Sequence, residues 1–151
     1  MSIVETDKYT TEDPLNGFYL KIVNLFPPNY GDIVKKFPIR GRRDVVFTYG
    51  DKLYNPYKGE IPIDLLIHEK VHSIQQSKQG KVSWWEQYLE DKQFRLEQEL
   101  EAYQAQYKYA LDNYEEKYTN RLLEKVSDDL SSSLYGGIIT KKEALNKIKK
   151  I

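Results

Sequence analysis

Pro62-Ile63-Asp64-Leu65-Leu66-Ile67-His68-Glu69-Lys70-Val71-His72, running on through Ser73-Ile74-Gln75-Gln76-Ser77-Lys78-Gln79 to Gly80, is the stretch on which the fold turns. Pro62 suits a first-turn position, where its missing N–H is not needed. Asp64 complements the positive N-terminal end of a helix. Gly80 suits the place just beyond the last turn, where positive φ is common. Between them Ile63, Leu66, Ile67, Val71 and Ile74 recur at helical spacing as an apolar stripe. The stretch therefore predicts a helix over Pro62–Gln79.

Working upstream, Asp44–Tyr49 (DVVFTY) is rich in β-branched and aromatic residues and predicts a strand. Gly50-Asp51 supplies turn chemistry, and Lys52–Asn55 can return as the second strand of a hairpin. Asn55-Pro56 and Lys58-Gly59 mark a loop. Ile39–Arg43 reads as a basic loop around Gly41, and Asn29–Phe37 as a short helix stopped before Pro38. Phe18–Phe26 (FYLKIVNLF) is a strand or a short buried helix, because periodicity does not separate the two. Residues 1–16 read as a loose lead-in.

Downstream, Ser83 and Glu86 match a capping box, which predicts a helix starting after Ser83. Asp91 marks a break before a long helix over Gln93–Leu111, with Leu96, Leu100, Tyr103 and Tyr107 as its stripe. A further helix is expected over Asn120–Leu130, then a loop over Ser131–Gly137. Thr140 and Glu143 form a second capping box before a last helix, Lys141–Lys150. A strand-bearing N-terminal third followed by helices predicts an α+β fold rather than alternating βαβ units. The length of 151 residues suits one domain spanning the whole chain.

Composition narrows the function classes. Lys+Arg and Asp+Glu both number 23, so no global field favours nucleic acid or an anionic membrane. Cysteine is absent, so any transition metal must be held by His, Asp or Glu. The polar, acidic start MSIVETDKYTTEDPLNG has no signal-like apolar core, and no apolar run reaches the roughly 20 residues that span a bilayer. The expectation is a soluble cytoplasmic protein with no membrane or nucleic-acid partner. Arg40, Arg42 and Arg43 form a basic cluster without interleaved aromatics, which reads as a solvated loop.

The chain has only two histidines, His68 and His72, and they stand at i and i+4. On a helix these positions lie one above the other, so both imidazoles can reach one ion. Glu69, one residue after the first histidine, can touch a water held by that ion without ligating it. Zinc brings the pKa of such a water to about 7, and a nearby carboxylate can accept its proton. This is the chemistry of H-E-x-x-H, with His68 and His72 as ligands and Glu69 as general base. The competing reading is a helix with one exposed histidine, one satisfied histidine and a surface glutamate.

An open zinc site needs a third protein ligand, and here only a carboxylate remains. Glu97, Glu99 and Glu101 in RLEQELEAYQAQ are the candidates. If Leu96, Leu100 and Tyr103 face the core, Glu99 and Ala102 lie on an adjoining flank. Ala102 leaves room for a helix to approach. Glu99 is therefore preferred, with Glu101 as the substitute. Arg95 and Glu99 form an i, i+4 pair: either a surface ion pair or an arginine that orients a ligating carboxylate. Gln75, one turn past His72, either bonds near the metal or faces solvent. Trp84-Trp85 is read as a hydrophobic anchor beneath the helix.

HEKVH at 68–72 together with Glu99-Leu100-Glu101-Ala102 resembles the gluzincins, metallopeptidases with two His from HExxH and a Glu from a following helix. The longer string HEKVHSIQQ, His68–Gln76, is similar to a stretch of small domains in toxin and contractile-injection-system proteins. SLYGGIITKKEA, Ser133–Ala144, is similar in look to small phage-encoded proteins. The resemblance spans roughly 44–106. It implies a zincin-like fold, Zn2+ on His68, His72 and Glu99, and peptide hydrolysis, with a peptide or protein as substrate. The phage-like look implies a phage-particle or other protein partner, in a host cytoplasm or a virion. Two departures stand out: Tyr103 occupies a position where larger gluzincins often carry Asp, and no third His exists to stabilise an oxyanion. Tyr103 and Tyr107 are the remaining candidates for that role, against packing. The alternatives are a non-catalytic zincin-fold structural or assembly protein and a plain binding module. Asp44–Tyr49 is expected to align an extended peptide by adding it as a strand.

Overall fold

The computed structural model describes residues 3–5 and 20–150. The chain is α+β and divides into two compact units, Met1–Trp85 and Glu86–Ile151.

The first unit carries a four-stranded sheet in the order β1-β2-β4-β3. Its strands are β1 (Ile3–Glu5), β2 (Lys21–Val23), β3 (Phe47–Tyr49) and β4 (Lys52–Tyr54). β1 runs antiparallel to β2, β2 parallel to β4, and β3 antiparallel to β4. The expected hairpin is present, with Tyr49 opposite Lys52 across Gly50-Asp51. Gly50 has φ +66°, a conformation that a two-residue hairpin turn needs and that glycine adopts at little cost. Two expectations change upstream. Ile3–Glu5 is a paired strand inside the supposedly loose lead-in; the rest of 1–16 lies outside the described residues. Lys21–Val23 resolves the Phe18–Phe26 ambiguity in favour of a strand, with Phe18 and Tyr19 outside the described residues. A short helix α1 (Tyr30–Lys36) falls where Asn29–Phe37 placed it.

The decisive helix, α2 (Ile63–Gln79), begins after Pro62 and ends at Gly80, whose φ is +96°. Leu66 packs with Leu20 and Leu53 into the core of this unit, joined by Ile22, Val46 and Ile61. The helix is not a two-faced surface helix. Asp64, His68, Glu69, Lys70, His72, Ser73, Gln75 and Gln76 are buried beside its apolar residues. Buried polar groups are costly unless they are bonded. Several of these eight are tied to side chains of their own helix or to the β3 hairpin.

Helix α3 (Lys81–Glu90) starts directly after Gly80, so Ser83 lies inside it and is not its cap. The Trp84 N–H bonds the Gly80 carbonyl at 2.9 Å, which closes the turn three residues earlier than the Ser83–Glu86 pattern suggested. The Ser83 hydroxyl instead accepts from Gln79.

In the second unit Asp91 does break the chain, and its side chain caps α4 (Lys92–Asn113) by accepting from the Phe94 N–H. α5 (Glu116–Leu130) starts four residues ahead of the expected Asn120. The Ser131–Gly137 loop contains a short 3-10 turn, Ser133–Tyr135, and α6 (Lys141–Lys149) follows with its Thr140–Glu143 capping box fully formed. Leu96 and Tyr107 from α4, Leu123, Val126 and Leu130 from α5, Tyr135, and Ala144 and Ile148 from α6 make the core. Leu100 and Tyr103 pack against it, so the predicted α4 stripe faces inward as expected. No helix among the described residues is long and apolar enough to cross a membrane.

Candidate metal centre and its supports

The i, i+4 spacing on α2 does bring the two imidazoles together. The Nε2 atoms of His68 and His72 lie 3.2 Å apart, with ring planes at 82°. Both rings are buried, which removes the reading of one exposed histidine. His72 Nδ1 is 2.9 Å from Gln75 Oε1. If Nδ1 carries the proton and donates it there, Nε2 is left with a lone pair directed at His68. A ligating histidine is commonly set in this way by a partner on its other nitrogen. Gln75 thus takes the bonded role over the solvent-facing one. Trp84, 1% exposed, packs on His72 with ring centroids 5.3 Å apart.

The nitrogen spacing tests whether zinc fits this pair. With Zn–N near 2.0–2.1 Å, two nitrogens 3.2 Å apart subtend an angle of about 103°, close to tetrahedral. Two imidazole nitrogens that converge inside a buried site suit that ion.

Glu69 stands beside the pair. Its Oε1 accepts from Thr48 Oγ1 at 2.8 Å, and its Oε2 lies 3.7 Å from His68 Nε2. One carboxylate oxygen is held by the sheet, and the other is directed at the imidazole edge. Thr48 is 2% exposed and sits in the middle of β3.

The outer edge of β3 is closed by side chains. Alternation along an antiparallel pair turns the Thr48 backbone groups away from β4, because Tyr49 and Lys52 flank the turn. The Thr48 carbonyl accepts from Gln76 Nε2 and from Trp85 Nε1, each at 2.9 Å. The Gly50 N–H donates to Gln76 Oε1 at 2.7 Å, and the Gly50 carbonyl accepts from Ser73 Oγ at 2.5 Å. The Gln76 amide therefore pairs with β3 as a peptide group of a neighbouring strand would. The expectation that Asp44–Tyr49 adds a peptide as an extra strand fails at Thr48 and Gly50, where these groups are taken.

Within the second unit, α4 turns Glu99 inward while Glu97 and Glu101 are exposed. Glu99 is 8% exposed, and its Oε2 accepts from the Tyr88 hydroxyl at 2.5 Å. Burial first, and then the Glu99 charge, raise the Tyr88 phenol well above its ordinary pKa, so it remains a donor. Burial and the same carboxylate raise Tyr135 in the same way. Arg95 is no surface partner of Glu99. It is 4% exposed, and its guanidinium donates to the carbonyls of Tyr88 (2.7 Å), Leu89 (2.8 Å) and Leu134 (2.6 Å). Those first two carbonyls end α3, where a cation is favoured. Tyr103 and Tyr107 lie in or against the helical core, as the packing alternative held. Arg40, Arg42 and Arg43 are exposed; Arg42 pairs with Asp44, and Arg43 lies over the Tyr57 ring.

Sequence reasoning missed Thr48 and Tyr88. Thr48 is the one aliphatic hydroxyl in the strand DVVFTY, and Tyr88 stands four residues after Trp84, on the same helical face; either position is a modest signal. Compared with family models, curated proteins and solved structures, the chain matches none.

Proposed function

We propose that this chain is a zincin-like, zinc-dependent metallopeptidase, with His68, His72 and Glu99 as metal ligands and Glu69 as general base. The observation that carries the reading is the buried His68–His72 pair, its nitrogens at zinc-like spacing and Glu69 alongside. The ligand set is supported by its chemistry: two imidazoles and a carboxylate, all buried, each offering one donor atom to an ion.

Zinc, when bound, supplies Lewis acidity to a peptide carbonyl and acidifies a water for attack. The rest falls to the chain. Gln75 orients His72. Thr48 holds one oxygen of Glu69 and leaves the other to take the proton of the attacking water. Glu69 then passes that proton to the leaving amine, the usual double duty of such a carboxylate. Trp84 covers the His72 ring and limits water around it. The proposed substrate is a peptide or protein, held by surfaces other than the β3 edge at Thr48 and Gly50. The proposed compartment is the cytoplasm.

Metal analysis of the purified protein tests this reading. About one zinc per chain is expected, abolished by His68→Ala combined with His72→Ala. Equal zinc in both proteins overturns it. Glu69→Gln should retain zinc and lose peptide hydrolysis. Zinc retained with no hydrolysis by either protein would favour a non-catalytic zincin-fold role in structure or assembly.

A further inference from the structure

We infer that Tyr88 is the positioning residue for Glu99, and that it holds the carboxylate in the orientation presented for metal binding. This rests on the reading of Glu99 as a zinc ligand.

The geometry is local to the second unit. Glu99 emerges from the first half of α4, and Tyr88 from the last turn of α3. The Tyr88 hydroxyl donates to Oε2 at 2.5 Å, a short charge-assisted bond. A glutamate carboxylate on its own turns broadly about its last torsion. Tying down Oε2 removes that freedom and holds the carboxylate in one orientation toward an ion. Tyr88 is itself held twice by Arg95. The guanidinium bonds the Tyr88 carbonyl at 2.7 Å and lies 5.5 Å from the centroid of its ring. Arg95 sits one helical turn before Glu99 on α4, so the residue that fixes the tyrosine and the residue the tyrosine fixes share one rigid element. Arg95 thus reaches the Glu99 carboxylate by way of Tyr88.

Tyr88→Phe removes only the hydroxyl and keeps the buried ring. The measurement is zinc affinity by competition with a chromophoric chelator, alongside the thermal midpoint. Loss of a partner to a metal-ligating group typically weakens binding by about 10–100-fold, and a loss of that order is expected here. Introduced into Glu99→Gln, the same change should cost no further affinity, because Tyr88 acts through Glu99. A merely structural tyrosine would lower the midpoint and leave affinity unchanged, which overturns the inference. Equal affinity losses in the wild-type and Glu99→Gln backgrounds overturn it as well. If the wild-type protein binds no zinc, the metal reading falls and takes this inference with it. If the wild type binds zinc and Tyr88→Phe binds it equally, only the role of Tyr88 falls.

Discussion

Thr48 and Glu69, 21 positions apart in sequence, meet through a 2.8 Å hydrogen bond between hydroxyl and carboxylate, both side chains buried. The bond fastens the proposed general base to the middle of β3. Thr48→Val keeps the shape and removes the donor. A buried acceptor that loses its partner costs about 1–3 kcal/mol, so urea unfolding should show a loss of that size. Zinc content should stay at the wild-type level, since Thr48 touches no proposed ligand. An unchanged unfolding midpoint would mean that the bond does not hold in solution.

Gln76 bonds to β3 at two points, the Thr48 carbonyl and the Gly50 N–H. Gln76→Ala should free the Gly50 N–H and leave the Thr48 carbonyl bonded to Trp85 Nε1. Hydrogen exchange at the Gly50 amide is the direct readout, and its protection should fall relative to the wild type. Freed strand edges also recruit other strands, so this variant should self-associate more readily. Gln76→Glu should be worse than alanine for stability, because a carboxylate oxygen would then face the Thr48 carbonyl. Unaltered Gly50 protection in both variants would show that the edge is closed by something else.

How much of this could be seen in the residues alone differs by element. α2 was readable because its signals are local: Pro62 before it, Gly80 after it and HEKVH between. The inward face of α4 was readable for the same reason, since Leu96 and Ala102 bracket Glu99 on one side of a regular helix. Thr48, Gln76 and Tyr88 were not, because each acts on a group outside its own element. A bond across 21 or 28 positions leaves no periodicity. The Ser83–Glu86 box misled because Gly80 already permitted the next helix to begin at Lys81, and a capping pattern inside a helix has nothing left to cap. The strand Ile3–Glu5 was missed for lack of any apolar run long enough to distinguish it from a polar lead-in.

The Thr140–Glu143 capping box gives a prediction with a definite pH sign. The Glu143 carboxyl is held below its ordinary value, first by the Thr140 backbone N–H and then by the Thr140 side chain. Its folded pKa is thus lower than its unfolded one, and the unfolded state binds more protons between the two. The stabilisation is fully present above the unfolded value and disappears as pH falls through the folded one. Glu143→Gln keeps an oxygen acceptor for the Thr140 N–H and removes the charge. It should be less stable than the wild type at neutral pH and equal to it in strong acid. A difference that persists unchanged to low pH would rule out the charge as its source.

The sharpest discrimination lies among three glutamates on one helix. Helical geometry separates Glu99 from Glu97 and Glu101 by about 200° each, so the three cannot share a face. The structure buries Glu99 and exposes the other two. Glu97 is bonded by Gln93 on the exposed side of α4, and Glu99 by Tyr88 on the buried side. Three single variants, Glu97→Gln, Glu99→Gln and Glu101→Gln, change charge equally and size hardly at all. Their zinc affinities should therefore separate by position alone. Glu99→Gln should lose about tenfold or more, as a ligand replaced by a weaker donor must exceed the lower end of the range for its supporting groups. Glu97→Gln and Glu101→Gln should match the wild type, because an exposed charge is screened by solvent. Thermal midpoints recorded on the same samples would expose any loss of fold. If Glu101→Gln instead carries the loss, the third ligand is on the other face of α4. Equal affinity in all three would leave His68 and His72 without a carboxylate from this helix.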